Sequence, residues 1–398
     1  MLRAIGSHLI EQGHAVSVLT GEPSYKTSDR DNDVATSQAV DGISVRRLRL
    51  LPGSRSVNLL RLLSKALWPL RAMFLVLWEA LCGRRQDVVV AATIPPVVNG
   101  LCGLLAARLT GARFVYHLQD IYPEIGSAGG LWSEKSLKHR VLFRMDSYIC
   151  RHADRCIVLS QDMADALYCR GVLASQVNII NNFMLVTFDE TQDNAAVHAS
   201  LPESQGRFRV VFAGNLGRFQ GLNVLLGAFL EQCEYSDELE LHFLGEGAAM
   251  KSLRDTANGH KNVFFHGHKP FEQACLLMSE CDAGIVSIQP DIYRFAYPSK
   301  TLTYLGLGLP VLALLEQESA LAKEVVSLEL GVSAINTDPA ALKQGFADLV
   351  QYLNSDANNR ERIKQVTDSL YSKNIAMSHW TLLVDDLAQI QASARTAT

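Results

Sequence analysis

The chain has 398 residues, of which 48% are hydrophobic and 20% charged, and its formal net charge is -4. This length predicts two domains, or one large α/β domain, with apolar cores of useful size. No nucleic-acid-binding motif is visible, so we expect no nucleic acid partner. The eight cysteines include no C-x-x-C pair. We therefore expect neither a zinc site nor a disulfide framework, and a reducing, cytoplasmic environment.

Basic residues are concentrated between positions 46 and 85, where nine Lys and Arg accompany one acid, Glu79. The stretch 57–83 has a helical pattern, is rich in Leu, and carries Trp68 and Trp78 at either end of its most apolar part. Charges near its centre argue against a helix that spans a membrane. Two interpretations stay open: a helix lying on the inner membrane surface, and a helix packed against its own domain.

Strands and helices alternate along the first half, which predicts a parallel sheet with helices on both faces. A helix over 2–12 is followed by a strand at 15–19, a polar loop over 20–42 and a strand at 43–48. After the basic helix, strands are expected at 87–91, 113–118, 155–159 and 177–180, and helices at 97–109, 134–152 and 161–170.

The loop after the strand 113–118 carries the side chains His117, Asp120, Tyr122 and Glu124. In open α/β sheets, ligands bind beyond the carboxyl ends of the strands, so this loop is a candidate site. Alternatively, Asp120 caps the next helix together with Pro123. The stretch 127–130 is expected to be a flexible break.

A second α/β run follows the polar stretch 183–206, which is the candidate linker. Strands are expected at 208–213, 238–244, 262–265, 283–288 and 310–315. Helices are expected at 222–233, 248–257 and 270–279, and three more at 338–353, 356–372 and 375–392 close the chain.

The strand 208–213 leads into a loop with Gly214, Gly217 and Gly221, followed by a helix. Glycines let a backbone approach a diphosphate closely, and the helix start adds free N–H groups. The sequence is neither G-x-G-x-x-G nor a P-loop, so a tight strand-to-helix turn is the competing interpretation.

The stretch 297–312 predicts a helix that begins near Pro298 and ends at Gly308 and Pro310. Lys300 lies in its first turn, where the helix dipole disfavours a cation. A bound anion would resolve this conflict, whereas the alternative is a capped helix with a solvated lysine. Together with Arg218 of the glycine loop, Lys300 could stabilise a leaving diphosphate.

The ordered set of motifs resembles glycosyltransferase family 4, and specifically the bacterial O-antigen and capsule transferases that are similar to N-acetyl-fucosamine transferases. In the second half the resemblance rests on 214–222, 244–247 and 297–305. In the first half it rests on 87–90, 95–96, 119–124 and 156–160.

The resemblance implies two facing Rossmann-like domains (the GT-B fold): 1–182 on the acceptor side, a linker 183–206, a nucleotide-sugar domain 207–374, and a last helix, 375–398, that crosses back. It implies a retaining transfer from a nucleotide-sugar, UDP-linked in our interpretation and with an N-acetylated amino sugar as one candidate, to a lipid-linked saccharide or another glycan acceptor, without metal or cofactor. With the basic helix, it predicts a cytoplasmic enzyme held on the inner membrane.

We expect Lys300, Arg218 and Asp120 to be catalytic. The expected donor-binding residues are Gly214, Asn215, Gly217, Gln220, Gly245, Glu246, Ser299 and Thr303. His117, Tyr122 and Glu124 are expected on the acceptor side.

Several positions depart from the family's pattern. The two glutamates of its E-x7-E motif fall on Phe295 and Thr303, and the basic pair of the glycine loop falls on Asn215 and Gln220. The family's loop histidine falls on Gln119. The family's first strand and Gly-rich loop have no counterpart ahead of the helix 2–12. We therefore expect an incomplete first sheet, and this loss puts the activity of the chain in question. A sugar-nucleotide epimerase of the same fold and an inactive remnant are the alternatives.

Overall fold

The computed structural model of the protein describes residues 1–21, 37–48, 58–184, 201, 204–217, 220–355 and 358–396, with the backbone alone at 58–66 and 396. Two sheets form its N-terminal half. One has the order β1-β3-β2 and the other the order β4-β5-β6-β7. The strands are β1 Ser17–Gly21, β2 Ser37–Val40, β3 Ile43–Leu48, β4 Val88–Ala92, β5 Arg113–His117, β6 Arg155–Val158 and β7 Val177–Ile179.

Six helices accompany these strands in the described residues of this half. They are α1 Leu2–Glu11, α2 Asn58–Leu81, α3 Val98–Thr110, α4 Glu124–Ala128, α5 Leu137–His152 and α6 Gln161–Cys169. Serines fix two of the helix starts. Ser136 accepts a hydrogen bond from the His139 N–H at the start of α5, and Ser160 accepts one from Met163 at the start of α6. Each bond satisfies an amide that the helix itself cannot pair.

The C-terminal half is built on a six-stranded parallel sheet with the order β10-β9-β8-β11-β12-β13. Its strands are β8 Phe208–Ala213, β9 Leu239–Leu244, β10 Val263–Gly267, β11 Ala283–Ser287, β12 Val311–Leu314 and β13 Gly331–Ala334. Its helices are α7 Leu222–Cys233, α8 Met250–Ala257, α9 Phe271–Ser279, α10 Lys300–Gly306, α11 Ala320–Ser327, α12 Pro339–Ser355, α13 Asn359–Tyr371 and α14 Lys373–Thr396. The expected α/β fold is confirmed, with parallel strands in both halves. The N-terminal half differs from the expected single parallel sheet, because its strands form two sheets and β2 pairs antiparallel with β3.

The last helix, α14, packs against the N-terminal half. Trp380 lies edge-on to the His117 ring, with 5.2 Å between centroids, and shares an apolar cluster with Phe183. Arg155 and Asp386 form an ion pair of 2.6 Å, and Thr381 hydrogen-bonds His8 of α1 at 3.0 Å. Buried apolar area gives this contact its stability, and the polar contacts fix the register.

Four local expectations were wrong. The polar loop 20–42 contains β2, which pairs with β3 across an Asp41-Gly42 turn with positive φ at both residues. The elements α11 and β13 occupy a stretch where no element was expected. The flexible break at 127–130 is instead the end of α4 and its C-terminal turn. Finally, α10 begins at Lys300, so Pro298 lies ahead of the helix and accepts hydrogen bonds from Thr301.

Candidate functional site

The two halves enclose a cavity of about 540 Å³. Its N-terminal wall is the loop after β5 and the α4 turn, with Asp120, Tyr122, Ile125, Gly126, Gly129 and Leu131. Its C-terminal wall includes Phe212, Gly214, Asn215, Gln220, Ile285, Ser287, Ser299 and Lys300. The walls meet through the backbone, because the Ile121 N–H donates to the Phe295 carbonyl at 2.7 Å and Asp120 bridges Ala296. The cavity therefore lies beyond the carboxyl ends of strands from both halves.

Glycines bring two loops of the C-terminal wall into contact. Gly214 has φ +146° and lines the cavity. Gly245 has φ +141°, and a Cβ there would lie 1.8 Å from the Gly214 carbonyl oxygen. A Cβ at Gly247 would lie 2.3 Å from the Leu216 carbonyl oxygen. Since no side chain fits between these backbones, Gly245 and Gly247 position the glycine loop from behind rather than facing the cavity.

The remaining predicted donor residues divide between the cavity and its support. Asn215, Gln220 and Ser299 line the cavity, and the Gln220 Oε1 atom is buried with no hydrogen-bond partner. Glu246 is exposed, and its backbone carbonyl accepts a hydrogen bond from Leu216 at 2.9 Å. Gly217 is buried, and a Cβ added at this position would lie 2.8 Å from Asn215 Nδ2. Thr303 is 8% exposed and is absent from the described lining.

Two residues that sequence reasoning missed hold the glycine loop in place. Tyr304 of α10 reaches the end of β8, where its phenol oxygen accepts a hydrogen bond from the Ala213 N–H at 2.7 Å. Gly284 makes room for the ring, because a Cβ there would lie 2.3 Å from it. Ser287 donates to the Gln220 carbonyl at 2.6 Å, on the other side of the loop. An aromatic residue four positions after Lys300 was the available signal.

Lys300 projects into the cavity from the first turn of α10. The side chain is partly buried, and Nζ lies 5.7 Å from the centroid of the Phe271 ring. Among the residues that the structure describes, no carboxylate lies within ion-pair distance of this ammonium group. A cation without a counter-ion in a partly desolvated cavity favours a bound anion.

The opposite wall places Asp120 in the same cavity as Lys300. Burial raises the pKa of this carboxyl group above its ordinary value. Tyr122 lines the cavity next to it. A carboxylate with a raised pKa is better suited to accept a proton from a hydroxyl than an exposed aspartate is.

Two residues expected on the acceptor side are directed elsewhere. Glu124 accepts hydrogen bonds from the buried Arg170 at 2.5 and 2.6 Å, and Arg170 also pairs with Asp146. His117 is 2% exposed, accepts a hydrogen bond from Gln119 at 2.7 Å, and has its pKa lowered to about 4 by burial. Neither lines the cavity, so in this structure both hold the loop and do not face an acceptor.

Arg218 lies outside the described residues. Within the described ranges, no group of three or more His, Cys, Asp or Glu side chains is arranged to hold a metal ion. Metal-independent chemistry stays a prediction. In the same part of the chain, no helix is both long and apolar enough to cross a membrane.

Comparisons with known proteins agree with this geometry. A family model described as "Glycosyl transferase 4-like domain" matches residues 1–182, and one described as "Glycosyl transferases group 1" matches residues 207–352. The chain is 25% identical over 314 residues to the probable glycosyltransferase WbjE of Pseudomonas aeruginosa, covering 76% of each chain. It is 23% identical over 315 residues to the putative colanic acid biosynthesis glycosyl transferase WcaI of Escherichia coli, covering 75% of each.

Solved structures show the same fold at low sequence identity. Sucrose-phosphate synthase of Thermosynechococcus elongatus superposes with a TM-score of 0.72 at 15% identity, covering 97% of this chain and 92% of that one. HepE of Anabaena, in complex with UDP, superposes with a TM-score of 0.67 at 16% identity, covering 97% of this chain and 94% of that one. Fold, cavity and family matches lead to one assignment: the chain belongs to the family 4-like glycosyltransferases of GT-B fold.

Proposed function

We propose that the chain moves a sugar from a UDP-linked donor to a lipid-linked saccharide acceptor, with retention of the anomeric configuration and without a metal ion. The observation that carries the proposal is the placement of Lys300 and the glycine loop on one wall of the cavity and Asp120 on the other. The diphosphate would lie against Gly214, Asn215 and Lys300. The acceptor hydroxyl would approach from the side of Asp120 and Tyr122.

Each group has a defined task in this reaction. As the bond between the sugar and the diphosphate breaks, negative charge grows on the leaving phosphate oxygen. Lys300 and the backbone amides of the glycine loop would stabilise that charge, which is the work a metal ion does in other enzymes. Asp120 would accept the hydrogen bond of the attacking hydroxyl and orient it, or take its proton. Arg218 would assist from the glycine loop.

The relatives support the donor and the pathway. Structures of HepE have been solved with UDP and with UDP-glucose, and they superpose on this chain with TM-scores of 0.67 and 0.63. WcaI is named for colanic acid biosynthesis, and another structural relative, WaaG, for lipopolysaccharide biosynthesis. On this basis we propose a role in bacterial surface polysaccharide synthesis, as for O-antigen or capsule, at the cytoplasmic face of the inner membrane.

The described part of α2 supports the membrane placement. Its exposed face carries Phe74, Trp78 and Leu81, which are 64%, 65% and 83% exposed, and Arg84 and Arg85 follow directly. Glu79 is turned inward to an ion pair of 2.5 Å with Arg46, so the acid does not oppose an anionic surface. Trp68 packs against Gly21 instead. One face of the helix thus packs on its own half, and the other suits a headgroup layer.

The test is a donor screen on the full chain with UDP-hexoses and UDP-N-acetylhexosamines, with and without an isoprenyl-diphosphate-linked saccharide. We expect UDP release only when the acceptor is present, and an α-linked product from an α-linked donor. An epimerised donor formed without acceptor would replace the transferase by a sugar-nucleotide epimerase. Binding of UDP without any turnover across the screen would contradict both activities.

A further inference from the structure

A shallow, open depression of about 280 Å³ lies on the outer side of α5, apart from the cavity described above. It is lined by His139, Arg140, Phe143 and Arg144. These positions are one turn apart in pairs, so they share one flank of the helix. The flank combines two guanidinium groups, an imidazole and an aromatic ring.

The two arginines of this depression carry uncompensated charge. Arg140 and Arg144 are both exposed, and in the described ranges neither guanidinium group has an ion-pair or hydrogen-bond partner. By contrast, the nearby Arg151 and Arg170 are both bonded to protein oxygens. Like charges at i and i+4 repel each other, and a shared anion would remove that repulsion. Guanidinium groups bind phosphate oxygens in pairs, and the spacing of one turn suits two linked phosphates.

The depression adjoins the acceptor wall of the main cavity. The Ser127 hydroxyl of α4 and His139 Nδ1 of α5 are 2.7 Å apart. Trp132 fills the space beside Gly126, where a Cβ would lie 2.2 Å from its ring, and Lys138 Nζ lies 4.1 Å from the centroid of that ring. Therefore α4 and its C-terminal turn lie between the depression and the main cavity. Leu131, which is 68% exposed, lies on its rim.

Apolar side chains lie beside the arginines. Leu137 and Val141 are 75% and 46% exposed on the adjoining face of α5. Leu105 and Leu109 are exposed on α3, which packs against both α5 and α2. A ligand with a diphosphate and a hydrocarbon chain would find a partner for each part on neighbouring surface.

We propose that Arg140 and Arg144 bind the diphosphate of an isoprenyl-diphosphate-linked acceptor. Its saccharide crosses the rim at Leu131 to reach Asp120, and its hydrocarbon chain runs along Leu137 and Val141. This inference rests on the proposed transferase function, which it extends by naming where the acceptor is held and by which of its groups.

Binding is tested first, without turnover, by calorimetric titration of the full chain with farnesyl diphosphate in saturating UDP, which blocks the donor site. We expect Arg140→Ala/Arg144→Ala to bind about 10-fold to 100-fold more weakly, the loss typical of charged hydrogen bonds. The control Arg84→Ala/Arg85→Ala removes the same charge beyond α2 and should bind within about twofold of the wild type. An equal loss in both variants, or none in the first, would overturn the proposal.

Two further arms separate the sources of phosphate. Farnesol should bind weakly to wild type and variant alike. The two double variants should lose affinity for phosphatidylglycerol vesicles to a similar extent. If vesicle binding, but not farnesyl diphosphate binding, depended on Arg140 and Arg144, the site would serve phospholipid headgroups and the acceptor proposal would be wrong.

The turnover arm compares a diphosphate-linked acceptor with the same saccharide on a neutral alkyl glycoside. In Arg140→Ala/Arg144→Ala we expect KM to rise for the first acceptor only, with kcat and the donor KM unchanged. An unaltered KM with normal turnover would reject this site and leave the transferase function standing. If farnesyl diphosphate binding depended on the two arginines but the chain showed no turnover, the binding site would stand and the transferase function would be rejected.

Discussion

Lys300 contributes a cation to the cavity wall that also contains the glycine loop. Replacing it by alanine removes the charge opposite a leaving diphosphate and little packing, because the side chain is only partly buried. We expect Lys300→Ala to lower kcat by about 100-fold or more, as the loss of one preorganised electrostatic group does in other enzymes. UDP release measures the effect, and Lys343→Ala, which removes a cation beside Tyr235, is the matched control. Undiminished turnover in Lys300→Ala would disprove the role.

Asp120 gives the reaction a pH dependence. Burial raises its pKa, so the charged form is lost at a higher pH than in an ordinary aspartate. If the carboxylate must accept the acceptor's hydrogen bond, kcat falls as the pH drops through this raised pKa. Asp120→Asn should lower kcat by at least about 100-fold and abolish the acid limb of the pH profile. The same limb persisting in Asp120→Asn would assign it to another group.

Tyr304 links the lysine helix to the glycine loop through one hydrogen bond. Tyr304→Phe keeps the ring in its place against Gly284 but leaves the buried Ala213 N–H without a partner. We expect the variant to lose about 1–3 kcal/mol of stability, the cost of one orphaned buried donor. The affinity for UDP should fall as well, because the loop is no longer fixed. Chemical denaturation and UDP titration measure the two effects, with Tyr235→Phe as control, because that side chain is 75% exposed.

At the scale of single residues, local signals predicted the cavity's lining better than its support. Gly214, Asn215, Ser299 and Lys300 all occupy the cavity wall, because each lies at the end of a strand or the start of a helix. Tyr304 acts across the sheet, and Glu124 is taken by Arg170, 46 positions away in the sequence. Neither contact could be predicted from a periodicity or a spacing in the sequence, since both depend on how distant segments pack.

At the scale of elements, α2 has one face for its own half and one for solvent. Phe74→Ser/Trp78→Ser removes two large side chains that are 64% and 65% exposed. We expect the variant to fold normally and to lose at least about tenfold in binding to anionic vesicles, since interfacial affinity scales with apolar area. Vesicle sedimentation measures this. The control, Tyr235→Ser/Val326→Ser, changes two exposed apolar residues of the C-terminal half. Equal losses in both variants would remove the special role of α2.

Strong periodicity predicted most elements to within a few residues, as for β8 and α7, whose bounds match the expectation. The missed elements are short. The strand β2 has four residues and depends on its pairing with β3, and α11 has eight residues and begins after Ser319. Short elements carry little pattern of their own, because tertiary pairing supplies most of their stability.

At the scale of the whole molecule, the cavity exists only while the two halves stay together. The halves were predictable from their α/β alternation, but their contacts were not. The Ile121–Phe295 backbone bond, the packing of α14 on the N-terminal half and the contact between α6 and α11 join segments far apart in sequence. Because Asp120 and Lys300 come from different halves, small changes at these contacts alter the distance on which the proposed reaction depends.

The contact between α6 and α11 offers a direct test of that dependence. Asp162 of α6 accepts a hydrogen bond of 2.9 Å from the Ala320 N–H, the first residue of α11, while Ser319 caps the Ala322 N–H at 3.1 Å. A carboxylate at a helix N-terminus also interacts favourably with the helix dipole. Asp162→Ala should therefore weaken the contact by about 1 kcal/mol, as the loss of a helix cap does.

Hydrogen exchange at Ala320 should become faster in Asp162→Ala, and transfer should slow, whereas UDP binding, which uses the C-terminal wall, should stay within about twofold of the wild type. Asp165→Ala is the matched control, because Asp165 lies one turn further along α6 and bonds only to the exposed Gln161 among the described residues. Slower transfer with weakened UDP binding would place the defect in the donor wall instead. Normal transfer despite faster exchange at Ala320 would show that the reaction does not depend on this contact between the halves.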